Sequence, residues 1–299
     1  MYTLTREEVR AYLKRIGISD IGAPTLPYLA ELHKAHVKHL SWQTLDIFGG
    51  KPAPIGFKES VDLILSGRSG YCFHLNGAFG VLLHSLGYRV NVHRAGVQPM
   101  GAEPRINSFH LGLTVDFAGS ADGSGRWIID AGLGDMPFEP LPLRYGTYVQ
   151  EPYTYKVTKS GVAADGWRLE HDPLASFPGV DYAPDVLGDL EEFKPNHEFY
   201  IRSEESPWYN KLLIRQRNEA DGNELRGCIW TKRDANGLNK TELRTKAQWL
   251  EVLAGVFHEQ LVHYSKPERD DLWKRVEAAH SEWQKIKERQ ETAGSLPTA

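Results

Sequence analysis

The sequence predicts an α+β chain of several domains: helices in the first third, a mostly antiparallel β region in the middle, and a smaller strand-and-helix unit at the end. Three observations predict it. Apolar residues recur at helical spacing as far as Gly87. Short β-type runs separated by Gly, Ser, Pro and Asp clusters follow from Tyr88 to about residue 200. Two strand-and-turn patterns then lead into helices, so the expected units are residues 1–87, 88–200 and 201–299.

In the first unit, Thr5 and Glu8 have the spacing of a capping box. Val9, Tyr12, Leu13 and Ile16 line one face after it before Gly17 stops the helix. Further helices are expected over 25–40 and 57–65. Leu75, Phe79, Leu82, Leu83 and Leu86 form an apolar stripe closed by Gly87, and Cys72, three residues before Leu75, falls at its first turn.

The β unit opens with runs at 88–97, 108–117 and 126–134. Beyond it, Asp221-Gly222 and Asn236-Gly237 read as hairpin turns. A helix is expected near 246–257, and an amphipathic one over 267–289 carries Leu272, Val276, Ala279 and Trp283 on one side. The last ten residues read as loose.

With 41% hydrophobic residues, 8 Trp and 13 Tyr, the composition is that of a globular core rather than a disordered chain. A net charge of −4 gives no support for a phosphate-neutralising surface, so no nucleic-acid partner is expected. Nothing approaches the ~20 apolar residues of a membrane span, and the N-terminus lacks a signal-peptide core; a cytoplasmic location without a membrane partner is expected. Cys72 and Cys228, far apart in the chain, read as free thiols.

A thiol is a strong nucleophile only as thiolate, and a helix N-terminus with a nearby imidazolium lowers a cysteine pKa from about 8.5 to roughly 3.5–7.5. Cys72 has the helix N-terminus, and Gly70 lets the chain turn sharply into it. His110 interrupts the apolar run SFHLGLTV, where an inward polar ring needs a partner. Asp130 follows three apolar residues in WIIDAG, a costly carboxylate unless it pairs with a donor. These three residues fit a thiol triad; taken singly, each also fits an inert core cysteine, a satisfied core histidine or a turn former. The string His33, His36, His39 invites a metal. Steps of three advance ~300° and ~600° around a helix, however, so the third leaves the face of the first and a solvated face is expected, with no metal.

The stretch RSGYCFHLNGAFG, the strand SFHLGLTV and the segment DAGLGDMP together resemble the arylamine N-acetyltransferase family. The first is similar to that family's Arg-Gly-Gly-Tyr-Cys-Phe-x-x-Asn signature at Arg68, Gly70, Tyr71, Cys72, Phe73 and Asn76, and the likeness runs over roughly residues 5–262. The resemblance implies a helical bundle carrying the cysteine, a β-barrel carrying histidine and aspartate, and an α/β lid around a core like that of cysteine proteases. It implies ping-pong transfer of an acetyl group from acetyl-coenzyme A through Cys72 to an arylamine, arylhydroxylamine or hydrazine. His110 would activate the thiol and Asp130 would orient the ring. It further implies that Gly132, Gly134 and Pro137 contact the coenzyme and that Trp42, Tyr71, Phe73 and Leu133 line the acceptor pocket.

Three departures surround the nucleophile. Gln43 stands where the family has a glutamate that pairs with Arg68, Ser69 replaces a glycine, and His74 takes an acidic or amide position. Arg68 must therefore find another acceptor or solvent. Two rival functions share the same residues: a cysteine hydrolase with the same triad order, and an amide synthase of the same family using a carrier-bound acyl chain.

Overall fold

The computed structural model describes residues 1–117, 125–173 and 175–294. Its first part is helical: α1 (Arg6–Arg15), α2 (Leu26–His39), the short β1 (Trp42–Gln43) and α3 (Leu45–Phe48), then α4 (Phe57–Leu65) and α5 (Cys72–Ser85). The Thr5–Glu8 capping box forms at α1, and the Thr25 hydroxyl caps α2 just ahead of Pro27 in its first turn. Every side chain of α5 from Cys72 to Leu83 is buried, which makes it the central helix of the bundle.

The histidine string is not a solvated face. His33 and His36 are buried, with His33 Nδ1 3.0 Å from the Phe138 carbonyl and His36 Nε2 3.0 Å from the Tyr12 hydroxyl. Burial pushes His33 down to about 4 and His36 well below its ordinary value, so both are neutral rings, each with one polar partner. Among the described residues no cluster of three or more His, Cys, Asp or Glu could hold a metal ion.

Among the described residues eight strands follow: β2 (Arg89–Gln98), β3 (His110–Asp116), β4 (Arg126–Ile128), β5 (Leu141–Pro142), β6 (Gly146–Gln150), β7 (Tyr153–Lys159), β8 (Trp167–Glu170) and β9 (Gly179–Tyr182). They pair antiparallel in the order β5-β4-β3-β2-β9-β8-β7-β6. In a flat sheet the edge strands β5 and β6 would lie ~34 Å apart. Residues 143–145 alone connect them and reach at most ~15 Å, so the sheet must curl into a barrel-like wall.

Helix α6 (Lys194–Arg202) crosses residue 200 and leads to β10 (Leu213–Arg217), β11 (Asp221–Arg226), β12 (Ile229–Asp234) and β13 (Gly237–Glu242). These strands form a second sheet whose first strand is β1, through the pairs Trp42↔Arg215 and Gln43↔Ile214. Asp221-Gly222, expected in a turn, opens β11 instead, and residues 218–220 make the turn. The second turn is Ala235-Asn236, closed by Gly237 at φ 111°.

Helices α7 (Lys246–Gly255) and α8 (Lys266–Gly294) complete the chain. Leu272, Trp273 and Val276 of α8 enter a second apolar core with Ile214, Leu225, Trp249 and Leu253, so this helix packs on its own lid. The helix continues to Gly294, past the start of the segment expected to be loose, and residues 295–299 lie outside the described residues. No helix among the described residues is long and apolar enough to cross a membrane.

Candidate active site

Cys72 is the first residue of α5, and Tyr71, its N-cap, offers no side-chain cap to the free N–H groups. The thiol is buried, with Sγ 3.9 Å from the Phe109 carbonyl at the approach to β3. His110 begins β3, opposite Ala95 of β2. Asp130 lies two residues past β4, where Ile129 N–H bonds the Leu113 carbonyl and holds the segment against β3.

These placements bring the three residues together. His110 Nε2–H donates to Asp130 Oδ2 at 2.6 Å, with both side chains wholly buried. Nδ1 is buried without a hydrogen bond and is the ring nitrogen left for Cys72. Burial alone would drive the proton off His110. The Asp130 carboxylate outweighs it, the Cys72 sulfur adds to the effect, and the ring's pKa is raised. For Asp130 burial again opposes ionisation, while His110, Asn76 and Tyr182 hold the carboxyl below its ordinary range.

Two further residues hold Asp130: Asn76, which matched the signature but was given no role, and Tyr182, which the sequence did not single out. Asn76 stands four residues after Cys72, on the same face of α5. Its Nδ2 donates to Asp130 Oδ1 at 2.8 Å and to the Leu111 carbonyl at 2.6 Å, while its Oδ1 accepts Ala131 N–H at 3.0 Å. The spacing was visible as a helical neighbour. Tyr182, from β9, donates its hydroxyl to Asp130 Oδ2 at 2.7 Å, and no motif pointed to it.

The glycine loop has a packing logic of its own. Gly132 N–H bonds Asp130 Oδ1 at 3.0 Å, and a Cβ there would sit 2.5 Å from Asn76 Nδ2. A Cβ on Gly134 would meet the Cβ of Arg215 at 2.0 Å. Of the loop residues expected at the coenzyme, Gly134 lines the large cleft described below, whereas Gly132 and the buried Pro137 do not.

The pocket residues separate in the same way. Trp42 meets Trp208 edge-on at 5.3 Å, and Tyr200 and Phe109 continue this aromatic set, their centroids 5.2 Å apart. Phe73 is wholly buried between Tyr71 and Phe193 in the bundle core. The Tyr71 hydroxyl bonds His197 Nδ1 of α6, and Leu133 is buried.

Arg68 finds the acceptor that Gln43 cannot be. Its Nη2 is 2.8 Å from Asp46 Oδ2, and Gln43 Nε2 donates to that same oxygen at 3.2 Å. His263 Nε2 and the Tyr264 hydroxyl reach Asp46 Oδ1 at 2.6 and 3.2 Å. Burial would raise Asp46, but His263 and Arg68 hold its carboxyl below the usual range. His74 bonds the carbonyls of Ala53 and Pro54, each at 3.2 Å, and burial takes it down to about 4.

A cleft of about 1080 Å³ opens between the lid sheet, α8 and the Gly134–Asp135 segment. Lys211, Arg215, Arg226, Arg233 and Lys240 stand on its wall, and Arg233 Nη1 is buried without a hydrogen bond. Arg215 pairs with Glu224 at 2.9 Å and lies 5.8 Å from the Trp42 ring centre. Cys72, His110 and Asp130 do not line this cleft.

The N-acetyltransferase family model matches residues 25–264. The chain belongs to the arylamine N-acetyltransferase family. Arylamine N-acetyltransferase of Mycobacterium tuberculosis (strain ATCC 25618 / H37Rv) is 32% identical over 168 residues, 54% of this chain and 58% of that protein. The arylamine N-acetyltransferase / N-hydroxyarylamine O-acetyltransferase of Salmonella typhimurium is 30% identical over 161 residues, 51% of this chain and 54% of that one. The chain thus spans just over half the length of these curated relatives. The structure of the Mycobacterium marinum arylamine N-acetyltransferase in complex with CoA superposes with a TM-score of 0.76 at 24% identity, over 90% of this chain and 98% of the other. That likeness carries the family fold: bundle, barrel-like sheet and lid.

Proposed function

We propose that the protein transfers an acetyl group from acetyl-coenzyme A to an arylamine, arylhydroxylamine or hydrazine, by a ping-pong route through an acetyl-Cys72 thioester. The observation that carries this reading is the buried His110 ring, tied through Nε2 to Asp130 and leaving Nδ1 to Cys72. Membership of the family supports it.

In the first half-reaction the Cys72 sulfur, its proton held by His110, attacks the acyl carbon, and the Cys72 N–H at the uncapped helix end stabilises the oxyanion. The His110 imidazolium then gives its proton to the departing thiolate. In the second half the amine attacks the acetyl-Cys72 carbonyl, His110 takes the amine proton, and the Cys72 thiolate is released. Asp130 keeps the imidazolium favourable throughout, and Asn76 and Tyr182 hold Asp130 in place.

Acetyl-coenzyme A supplies an activated thioester and carries several phosphate charges. The cleft with Lys211, Arg226, Arg233 and Lys240 suits such an anion, and the orphaned Arg233 Nη1 is a donor that a phosphate oxygen would satisfy. The aromatic set of Trp42, Phe109, Tyr200 and Trp208 suits a flat acceptor ring.

Incubating the protein with acetyl-coenzyme A and a panel of arylamines and hydrazines, with release of free coenzyme as readout, tests the reading. Amine-dependent release is expected. Release without any amine would favour a hydrolase, and indifference to acetyl-coenzyme A would favour the amide synthase.

A further inference from the structure

Ser41 and Ser69 are joined by one distant group. Glu259, four residues past α7, is buried, and its Oε1 accepts hydrogen bonds from Ser41 Oγ at 2.6 Å and from Ser69 Oγ. The two hydroxyl oxygens lie 3.2 Å apart. Ser69 is also held through its carbonyl by Gln43 Nε2 at 3.1 Å, and the Gly70 carbonyl accepts Gln43 N–H at 2.9 Å. Three residues beyond Ser69 comes Cys72.

The segment carrying Glu259 is itself costly. His258 and Leu261 take φ values of 59° and 52°, a region that side chains other than glycine seldom adopt. Such a conformation persists only where surrounding contacts over-determine it. Those contacts converge on the nucleophile loop: Glu259 on Ser69, and His263 and Tyr264 on Asp46, which in turn holds Arg68.

We infer that Glu259 is a positioning residue for the nucleophile, its carboxyl group acting through Ser41 and Ser69 to fix the turn 68–71 and so set the Cys72 sulfur against His110. This rests on the triad reading above. Burial also pushes the Glu259 carboxyl above the usual carboxylate range, which makes glutamine its matched substitute. A glutamine keeps a carbonyl oxygen for both hydroxyls; leucine keeps only the bulk.

The test is the pH profile of Cys72 alkylation by iodoacetamide in the parent, Glu259→Gln, Glu259→Leu and Ser69→Ala proteins. The parent is expected to label Cys72 well ahead of Cys228. Glu259→Leu should slow Cys72 on the order of tenfold and shift its profile to higher pH, with Cys228 unaffected. Glu259→Gln should restore the parent profile, and Ser69→Ala should show a smaller loss of the same kind. A parent profile in a folded Glu259→Leu protein, or no rescue by glutamine, overturns the inference while leaving the triad standing. If Glu259→Leu does not fold, an unchanged profile in Ser69→Ala overturns it equally. A parent that labels both thiols alike rejects the triad and this inference with it.

Discussion

His110 Nε2 and Asp130 Oδ2 lie 2.6 Å apart in a fully buried pair, and that bond decides which imidazole nitrogen is left for Cys72. The carboxylate can only accept, so Nε2 must carry the proton, and Nδ1 is the nitrogen left for the proton exchange with sulfur that the proposed mechanism requires. Asn76, Tyr182 and the Gly132 N–H also donate to Asp130, so the carboxylate is fixed by three side chains, from two strands and a helix, and one backbone amide.

Cys72→Ala should abolish acetyl transfer, by at least about a thousandfold in kcat/KM, with the fold retained. Circular dichroism and thermal melting check the fold. Activity within a few fold of the parent would reject Cys72 as the nucleophile.

Iodoacetamide should label Cys72 faster than Cys228 on the order of a hundredfold at neutral pH. Both thiols are similarly buried, at 4% and 2% exposure, so access does not separate them. Burial, with Glu277 and Glu242 nearby, pushes the Cys228 thiol up to about 11, whereas Cys72 acts on the His110 ring, whose pKa is raised. Peptide mapping of the alkylated protein gives the two rates.

The raised His110 and lowered Asp130 set the pH range of the charged pair. Imidazolium is kept until the pH rises through the elevated folded value, and carboxylate until it falls through the depressed one. The kcat/KM profile should therefore show no alkaline break at the ordinary histidine pKa of about 6.5. Asp130→Asn removes the raising charge, so the alkaline limb should move down and neutral activity should fall by roughly a thousandfold or more. A pH profile of each protein measures both effects.

Asp46→Asn should destabilise the fold by about 3 kcal/mol, because Arg68 is left mostly buried without its carboxylate. Gln43→Glu, which restores the residue expected from the family pattern, should also destabilise, since it sets a second carboxylate against Asp46. Combining the two changes should recover more than half of the loss. Urea denaturation of the single and double variants provides the comparison.

Much of the site was legible because polar residues stood in apolar company. His110 on a buried strand and Asp130 after Trp-Ile-Ile had to pair with something, and the helical stripe fixed Cys72 at the start of α5. What lay beyond reach was the pairing of distant side chains. Asp46 takes over the role of the missing glutamate from three residues away, and Tyr182 and Glu259 reach the site from β9 and the lid. His33 and His36 misled because they sit in a polar-looking string, although a neutral ring with a single acceptor or hydroxyl partner buries readily. The barrel-like closure was legible only through the family resemblance, since it follows from strand order, which periodicity does not encode. The cleft was invisible for a related reason: it is made by α8 and a sheet whose edge strand, β1, pairs Trp42 with the distant Arg215.

The most direct measurement is mass spectrometry of the Cys72 peptide after brief exposure to acetyl-coenzyme A, before and after addition of an arylamine. The expected result is an acetyl group on Cys72 that persists in buffer and moves to the amine when it is added. An unmodified Cys72 while coenzyme release proceeds, or acetyl on another residue that turns over at the same rate, would contradict it.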